Sequence, residues 1–341
     1  MGLKQLQAHF CFFYMIDSEK LKNIILNNSS FLITTHVNPD ADAIGSEVAF
    51  YHLLKKLGKK GFIVNHSSTP YNMEFFNDGN IIQHYNEEVH KNIFNDVDVI
   101  VALDFNRADR TVRMEKAFRE ANKLKICIDH HQDPENFVDH FFIDTESCAT
   151  GQIIYDFIKS TGIVEPDLKI AEAIYAAIMT DTGSFRFERT TSGVHKIAAE
   201  LLDIGVNPSA IYDKLYDQSK FSKISLLGRA LNSVKLEAGG RLAYMVLTQK
   251  DFEELKAIES DTENFVNYNL SIENVVLGIL FIELKSGFKV SFRSKGNIPA
   301  NLIAKEFGGG GHINASGARF YTHNMMQMIP VIISKAISYL K

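Results

Sequence analysis

A chain of 341 residues is long enough for two domains, and its 45% hydrophobic and 23% charged residues are typical of a folded protein in water. The formal net charge of −5 excludes a protein whose overall field attracts long nucleic-acid duplexes, so an anionic substrate has to be attracted by local charge in a pocket. The three cysteines, Cys11, Cys127 and Cys148, are odd in number and scattered, which argues against a disulfide framework and favours a reducing cytoplasm.

The sequence contains no candidate membrane segment. The longest apolar runs, such as residues 275–282, are far shorter than the roughly 20 residues that a spanning helix needs. The first residues lack a signal-peptide core followed by a cleavage site, and translation from Met15 is an alternative start. We therefore expect a cytoplasmic protein without a membrane partner.

Strand and helix patterns alternate through the first half of the chain. A helical pattern over 43–58 ends at Gly58, and a second helix begins after Pro166. This alternation predicts an α/β domain with a mostly parallel sheet and helices on both faces. The predicted strands are the short apolar runs 31–35, 62–66, 97–104 and 123–129.

The second half predicts helices first and then a smaller α/β domain. Residues 192–234 have the pattern of consecutive helices, whereas Gly239-Gly240 and Ser286-Gly287 are turn signals between β-rich runs. A capped helix over 248–258 lies between the two hairpins. The predicted domain bounds are 16–190 for the first domain, 191–233 for a helical linker and 234–341 for the second domain.

Acidic and imidazole side chains follow the predicted strands of the first domain. Because ligands bind beyond the carboxyl ends of strands in open parallel sheets, we expect these side chains to meet at one edge. The helix after Pro166 adds one more aspartate at its far end. The residues concerned are His36, Asp40, Asp42, Asp104, Asp129, His130, His131 and Asp181.

Imidazole nitrogens and carboxylate oxygens without a cysteine among them suit Mn²⁺, Mg²⁺ or a related divalent ion. Two such ions about 3.5 to 4 Å apart can bind a phosphoryl oxygen and generate a nucleophile near neutral pH. Each motif alone also has a structural interpretation: residues 36–46 could be an Asn-Pro turn and a helix cap, and Asp181 could simply end a helix. The coincidence of four such elements at one edge favours the metal site.

A glycine-rich segment in the second domain is a candidate anion site. Gly308, Gly309, Gly310 and Gly311 follow a predicted helix, and a loop of glycines can turn its N–H groups toward an anion. His312 and Arg293 add charged donors. The structural alternatives are a flexible helix cap for the glycines and the solvent-facing end of an edge strand for residues 291–295.

Six motifs together resemble the DHH (Asp-His-His) phosphoesterase family with its DHH-associated C-terminal domain. They are, in chain order, "HVNPDADAIGS", "VALD", "DHH", "MTDTGSFRF", "SFRS" and "FGGGGHINASG". The resemblance extends over nearly the whole chain beyond residue 20. It departs from the family at Ala41, where members often carry glycine, and we expect a slightly altered loop there without loss of a metal ion.

The resemblance implies two divalent ions, with Mn²⁺ favoured and Mg²⁺ or Co²⁺ as alternatives. Carried over residue by residue, it implies the ligands His36, Asp40 and Asp104 for the first ion, and Asp42, Asp104, His130 and Asp181 for the second. Asp104 would bridge the ions and is counted with the catalytic residues.

The remaining residues of the family pattern imply substrate contacts. His131 would face the substrate phosphate as a hydrogen-bond donor or as the general acid, and Asp129 would orient a neighbouring histidine. The substrate-binding residues implied by the resemblance are His131, Arg293, Ser294, Gly308, Gly309, Gly310, Gly311 and His312.

The branch of the family that this chain most resembles implies two activities. These are the trimming of short single-stranded oligoribonucleotides to mononucleotides and the conversion of 3′-phosphoadenosine 5′-phosphate to AMP. The alternatives are an inorganic pyrophosphatase or exopolyphosphatase, and a nucleotide-binding regulator whose hydrolysis is vestigial. The partners expected are therefore these small nucleotides and not long duplex nucleic acid, and the sequence leaves a homodimer open.

Overall fold

The computed structural model describes residues 16–340, so Cys11 and the alternative start at Met15 lie outside the described residues. The chain divides between Gln218 and Ser219 into two compact units, each with its own hydrophobic core. No helix within residues 16–340 is long and apolar enough to cross a membrane. Cys127 and Cys148 are buried free thiols, in agreement with the argument against a disulfide framework.

The first unit is built on a six-stranded sheet. Its strands are β1 (Ser30–Thr34), β2 (Lys60–Asn65), β3 (Ile82–His84), β4 (Val99–Leu103), β5 (Leu124–Asp129) and β6 (His140–Ile143). The order is β3-β2-β1-β4-β5-β6, and every neighbouring pair runs parallel. The predicted parallel sheet is therefore confirmed, with two short edge strands that the sequence pattern did not predict.

Helices cover both faces of this sheet. They are α1 (Ser18–Asn27), α2 (Ala41–Lys56), α3 (Glu87–His90), α4 (Ile93–Asp96), α5 (Glu115–Glu120), α6 (Thr150–Thr161), α7 (Leu168–Asp181), α8 (Ser192–Ile204) and α9 (Pro208–Tyr216). Phe31 and Ile33 of β1 pack in one buried cluster with α2, α6 and α7, whereas Leu32 packs in a second cluster with α4 and α5. Burial on both faces explains why the central strands β1 and β4 are apolar almost throughout.

The start of α7 and the end of α2 lie where the sequence predicts a helix start and a helix end. Asp167 caps α7 by accepting a hydrogen bond from the backbone N of Ile170 at 3.1 Å, directly after Pro166. Gly58 follows the end of α2 with a φ of 71°, a conformation that favours glycine. The two helices pack closely, because a Cβ at Gly45 would lie 2.5 Å from the backbone O of Ala173.

The second unit contains a mixed six-stranded sheet. Its strands are β7 (Lys235–Glu237), β8 (Leu242–Leu247), β9 (Leu277–Glu283), β10 (Phe288–Ser294), β11 (Gly310–His312) and β12 (Ala315–Phe320). The order is β11-β12-β10-β9-β8-β7, in which only β8 and β9 run parallel. Its helices are α10 (Phe221–Asn232), α11 (Gln249–Leu255), α12 (Ala300–Lys305) and α13 (Met325–Ser338). This confirms the smaller α/β domain and both predicted hairpins.

Of the helices that lie between the two sheets in the sequence, some belong to the first unit and one to the second. α8 and α9 contribute Val194, Leu201 and Ile211 to the core of the first unit. α10 contributes Leu226 and Ala230 to a core cluster of the second unit. The predicted bounds of a separate linker at 191–233 remain a prediction.

Candidate metal centre

Parallel pairing brings the chemically active side chains of the first unit to one edge of its sheet. His36 lies two residues beyond β1, Asp104 directly follows β4, and Asp129 ends β5. β4 pairs with both β1 and β5, so the carboxyl ends of the three strands are adjacent. This is the edge at which the sequence predicts a site.

The start of α2 places two aspartates in different roles. Asp40 caps the helix, since its Oδ1 accepts hydrogen bonds from the backbone N atoms of Asp42 and Ala43, each at 3.1 Å. The structural interpretation of this segment as a helix cap is therefore correct for Asp40, which nevertheless also faces His36 and Asp104. Ala41 is buried at the first helical position.

Asp42 is turned inward and lies at the N-terminus of α6. Its carboxylate accepts hydrogen bonds from the backbone N of Thr150 at 2.7 Å and of Gly151 at 2.9 Å. Glycine at position 151 also lets α6 pack closely against α7, because a Cβ there would lie 2.5 Å from the Cβ of Ala177. The helix N-terminus stabilises the negative charge of Asp42. No sequence pattern indicates Thr150 and Gly151 as part of the site, because they are more than 100 residues from Asp42.

Asp104 occupies the centre of the cluster. Its backbone has a φ of 64°, which is uncommon for a residue other than glycine, and its backbone N donates to the O of Ile128 at 3.1 Å. Its Oδ2 lies 3.5 Å from Nε2 of His36, and its Oδ1 lies 3.5 Å from Nε2 of His130. The two oxygens of one carboxylate therefore face two different histidines.

The ligand atoms form overlapping groups in which all atoms lie within 4.8 Å of one another. The groups are His36, Asp40 and Asp104; Asp42, His130 and Asp181; and Asp104, His130 and His131. Nε2 of His130 lies 3.4 Å from Oδ2 of Asp181 and 3.7 Å from Oδ2 of Asp42. The structure thus brings together the side chains that the resemblance implies as metal ligands, and their roles as ligands remain a prediction.

These spacings fit divalent cations. An ion about 2.1 Å from each of its ligands in an octahedral arrangement separates neighbouring ligand atoms by about 3 Å. The distances of 3.4 to 3.7 Å around His130 are close to this value and leave room for an ion between the atoms. All the donors are oxygen or imidazole nitrogen, which suits a metal of the Mn²⁺ or Mg²⁺ class.

The electrostatics of the protein alone are unfavourable at this site. Burial, and then the charges of Asp42 and Asp40, raise the pKa of Asp104 well above its ordinary value. Burial also raises the pKa of Asp181 and lowers that of His130. Carboxylates crowded in a buried cluster repel one another, and bound cations would remove this repulsion.

The Asp-His-His segment places a buried carboxylate behind a histidine. Oδ1 of Asp129 accepts hydrogen bonds from Nδ1 of His131 at 2.7 Å and from the backbone N of His130 at 2.9 Å. Oδ2 of Asp129 is buried and has no hydrogen-bond partner among the described residues. Burial acts to lower the pKa of His131, and the hydrogen bond and charge of Asp129 outweigh it, so this pKa is raised. Asp129 therefore favours the protonated form of His131.

In the second unit, Arg293 and His312 occupy equivalent positions on the two strands that flank β12. Both pair with Ala315, so the three residues share one face of the sheet, and the small alanine separates the two longer side chains. β10 is an inner strand, so the alternative that residues 291–295 end an edge strand is wrong. The Oγ of Ser294 donates to the O of Ile298 at 2.6 Å.

The four glycines at 308–311 do not form the single loop that the sequence predicts. Gly310 and Gly311 belong to β11 and pair with β12, while Gly308 and Gly309 connect this strand to α12. Glycine is required just before the strand and within it, because a Cβ would lie 2.1 Å from the O of Gly317 at Gly309 and 2.5 Å from the O of Ala315 at Gly311. The expectation of a glycine loop is therefore wrong for residues 310–311. Their role in substrate binding remains a prediction.

A buried polar network lies behind the edge of the sheet at which His36, Asp104 and Asp129 meet, which we call the metal-site edge. Nδ2 of Asn65 donates to Oε2 of Glu47 at 2.7 Å, and Oδ1 of Asn65 accepts from the backbone N of Thr35 at 3.2 Å. Oγ1 of Thr35 donates to the O of Leu103 at 2.7 Å. These bonds join α2, the end of β2, the residue after β1 and the end of β4, just before His36 and Asp104. No sequence pattern predicts this network, because its members are distant in the chain.

Replacing Glu47 with glutamine is expected to stabilise the protein at neutral and alkaline pH. Burial raises the pKa of Glu47 from its ordinary value of 4.5 to about 8, so the folded state is increasingly destabilised as pH rises from 4.5 to about 8. At about 1.36 kcal/mol for each pH unit, the penalty at pH 7 is about 3 kcal/mol. Glutamine stays neutral, and its gain in unfolding free energy should appear at pH 8 and vanish near pH 4.5.

Urea unfolding of both proteins with a chelator present at the two pH values measures this gain. The exposed Glu120→Gln variant is the matched control and should show no change at either pH. An unfolding free energy of Glu47→Gln equal to that of the wild type at pH 8 would show that Glu47 is ionised without cost in the fold.

Comparison with known proteins identifies two sequence domains. Residues 30–178 match the description "DHH family, N-terminal domain", and residues 239–340 match the description "DHHA1 domain". The two matches lie in the first and second structural units respectively.

Three similar proteins cover most of the chain. A bifunctional oligoribonuclease and PAP phosphatase NrnA from Thermus thermophilus is 35% identical over 84% of this chain and 82% of its own length. The protein of the same name from Bacillus subtilis is 28% identical over 89% of this chain and 93% of its own length. The crystal structure of an exopolyphosphatase-related protein from Bacteroides fragilis has a TM-score of 0.89 at 31% identity, covering 94% of this chain and 95% of that one.

Proposed function

Since this chain belongs to the DHH family of phosphoesterases and carries a DHHA1 domain, we propose that it degrades short oligoribonucleotides to mononucleotides and converts 3′-phosphoadenosine 5′-phosphate to AMP. The relatives named for an oligoribonuclease and a PAP phosphatase support both activities. The net charge of −5 agrees with small anionic substrates bound by local charge and not with long duplex nucleic acid.

The position of Asp104 carries this proposal. Its two oxygens face His36 and His130 at 3.5 Å each, which supports a carboxylate that bridges two ions. The proposed ligands are His36, Asp40 and Asp104 for one ion, and Asp42, Asp104, His130 and Asp181 for the other. Two divalent ions in such a site supply charge neutralisation for a phosphoryl group and a nucleophile near neutral pH.

Mn²⁺ is the proposed metal, with Mg²⁺ and Co²⁺ as alternatives. The donor set of imidazole and carboxylate without thiolate supports ions of this group. Removal of the ions with a chelator should abolish turnover, and restoring each ion separately to the metal-free protein measures their order of activity.

The chain's own residues supply binding and proton transfer. We assign His131 as the group that holds a proton for the substrate phosphate or the leaving oxygen, and Asp129 as the group that orients it. Arg293, Ser294, the glycines 308–311 and His312 are assigned to substrate binding, because charged and backbone N–H donors suit phosphate oxygens.

Product analysis of the purified protein with Mn²⁺ tests the proposal. A ladder of labelled RNAs should be consumed from its shortest members and yield mononucleotides, while 3′-phosphoadenosine 5′-phosphate should yield AMP and phosphate in equal amounts. Both reactions should stop when a chelator is added.

Inorganic pyrophosphate run at equal enzyme concentration separates the alternatives. Faster release of phosphate from pyrophosphate than from 3′-phosphoadenosine 5′-phosphate would overturn the proposal in favour of a pyrophosphatase. Tight binding of the nucleotides without any product would instead indicate a nucleotide-binding regulator.

A further inference from the structure

A second group of nitrogen donors lies on the same edge of the first unit's sheet as the metal centre. His66 directly follows β2, and His84 is the last residue of β3. Arg113 lies in the segment between β4 and α5 and contacts both histidines. This group, which we call the Arg113 cluster, includes none of the proposed metal ligands or substrate-binding residues.

The guanidinium of Arg113 is held by two imidazole rings. Its Nε donates to Nδ1 of His66 at 3.3 Å, and its Nη2 donates to Nε2 of His84 at 2.9 Å and to the backbone O of His66 at 3.3 Å. Within residues 16–340, no carboxylate forms an ion pair with Arg113. The cluster therefore keeps the positive charge of the arginine.

These contacts fix the hydrogens of both rings. Arg113 has no acceptor atom, so Nδ1 of His66 and Nε2 of His84 must be the accepting nitrogens. A neutral ring that accepts at one nitrogen carries its hydrogen on the other, which makes Nε2 of His66 and Nδ1 of His84 donors. Burial, followed by the charges of Arg113 and His84, lowers the pKa of His66, in agreement with a neutral ring.

The remaining hydrogen-bonding capacity of the cluster therefore consists of donors around a positive charge. Nη1 of Arg113 makes no hydrogen bond to any described residue and adds two more N–H groups. A site that offers donors and positive charge selects an anion with several acceptor oxygens. A phosphate group meets this requirement, whereas a metal cation is excluded.

Two contacts connect the cluster to the loop that carries the metal-site residues. The backbone N of Asn38 donates to Oγ of Ser67 at 2.9 Å, next to His66. The backbone N of Val37 donates to the O of Arg110 at 2.8 Å, in the segment that carries Arg113. Both contacts lie within two residues of His36. In the sheet, the end of β2 lies one strand spacing of about 4.8 Å from the end of β1, and the end of β3 lies two such spacings from it.

The backbone before Arg113 is strained. Val112 has a φ of 49° and a ψ of −105°, a conformation that β-branched residues rarely adopt, and its side chain is exposed. Strained residues persist where the surrounding structure holds them and are common at ligand sites. Here the strain accompanies a turn that directs Arg113 toward His66 and His84.

We propose that the Arg113 cluster is a second phosphate subsite, which binds a phosphate of the substrate that is not cleaved. This inference rests on the proposed function, because it assigns a position to the nucleotide chain beyond the phosphate at the metal centre. It predicts that the enzyme binds substrates with two or more phosphates more tightly than substrates with one.

Steady-state kinetics of Arg113→Ala tests the subsite. For a 5′-phosphorylated dinucleotide, KM should rise roughly ten- to a hundredfold, the loss expected for a hydrogen-bonded contact to a charged group, while kcat changes little. For bis(4-nitrophenyl) phosphate, which has a single phosphorus atom, both constants should stay at wild-type values. His84→Ala, a second exposed position, should raise KM for the dinucleotide in the same direction.

Arg107→Ala is the matched control, because Arg107 lies in the same segment and is paired with Asp109 at 2.8 Å. It should leave both substrates unaffected. An unchanged KM of Arg113→Ala for the dinucleotide, or an equal loss for both substrates, would overturn the subsite while leaving the proposed function intact. Failure of the wild-type protein to cleave the dinucleotide would overturn the proposed function itself.

Discussion

Replacing Asp104 with asparagine is expected to lower the turnover of short oligoribonucleotides by about 10³-fold or more. A carboxylate that serves two ions supplies several kcal/mol of charge stabilisation, and about 1.36 kcal/mol corresponds to a tenfold change in rate. Asparagine suits the position because it tolerates a positive φ such as the 64° observed at Asp104. Its Oδ1 can also keep the hydrogen bond from Oγ1 of Thr150, which is 2.9 Å long in the wild type.

Although it lowers turnover, the same substitution should stabilise the metal-free protein. Burial, and then the charges of Asp42 and Asp40, disfavour the charge of Asp104, so removing that charge should raise the melting temperature in the presence of a chelator. Addition of Mn²⁺ should stabilise the wild type strongly and the variant weakly, since binding to the folded state adds to its stability.

Melting curves with and without Mn²⁺, together with turnover of a labelled dinucleotide, measure both effects. Asp78→Asn, at an exposed aspartate of the same unit, is the control and should change neither. A variant of Asp104 that keeps wild-type turnover, or that is stabilised by Mn²⁺ as much as the wild type, would disprove a bridging ligand at this position.

The metal-site edge was predictable because local sequence determines where buried parallel strands end. β1, β4 and β5 are short, mostly apolar runs, with His36 and Asp104 closely following β1 and β4 and Asp129 as the last residue of β5. The rule for open parallel sheets then places His36, Asp104 and Asp129 at a common edge. The side-chain distances between them required the structure.

The features that the sequence did not predict depend on tertiary contacts. β3 and β6 have three and four residues, only one buried in each, so they are too short to show a strand pattern and form through pairing with β2 and β5. Gly310 and Gly311 have a low propensity for strands, yet they pair with β12, and at Gly311 a Cβ would lie 2.5 Å from the backbone O of Ala315.

The side chains that surround the metal-site edge also could not be predicted, because they too depend on tertiary contacts. Thr150 and Gly151 approach Asp42 from a helix more than 100 residues away, and no local pattern indicates that contact. Arg113 meets His66 across 47 residues and His84 across 29 residues. Sequence patterns predict positions along elements, whereas contacts between distant elements follow from how the elements pack.

Replacing Asp129 with asparagine is the second substitution with a large expected effect. The carboxylate of Asp129 is fully buried and raises the pKa of His131 through a hydrogen bond of 2.7 Å to Nδ1. Asparagine can keep a hydrogen bond to Nδ1, but it removes the negative charge, so the pKa of His131 should fall. At neutral pH less His131 is then protonated, and kcat should decrease by about 10²- to 10⁴-fold, the range of general acid catalysis.

The pH dependence of kcat distinguishes proton transfer from a structural role. In the wild type, activity that requires protonated His131 is present below the raised pKa and is lost as pH rises through it. In Asp129→Asn the same loss should occur at lower pH, so the deficit should be smallest in acid and should grow toward neutrality. Asp139→Asn, at the opposite end of β5, where Oδ2 of Asp139 accepts from the backbone N of Lys125 at 2.8 Å, should leave the profile unchanged. If Asp129→Asn lowers kcat by the same factor at every pH, then Asp129 only shapes the backbone around the two histidines, and the proton that the reaction needs is held by another group.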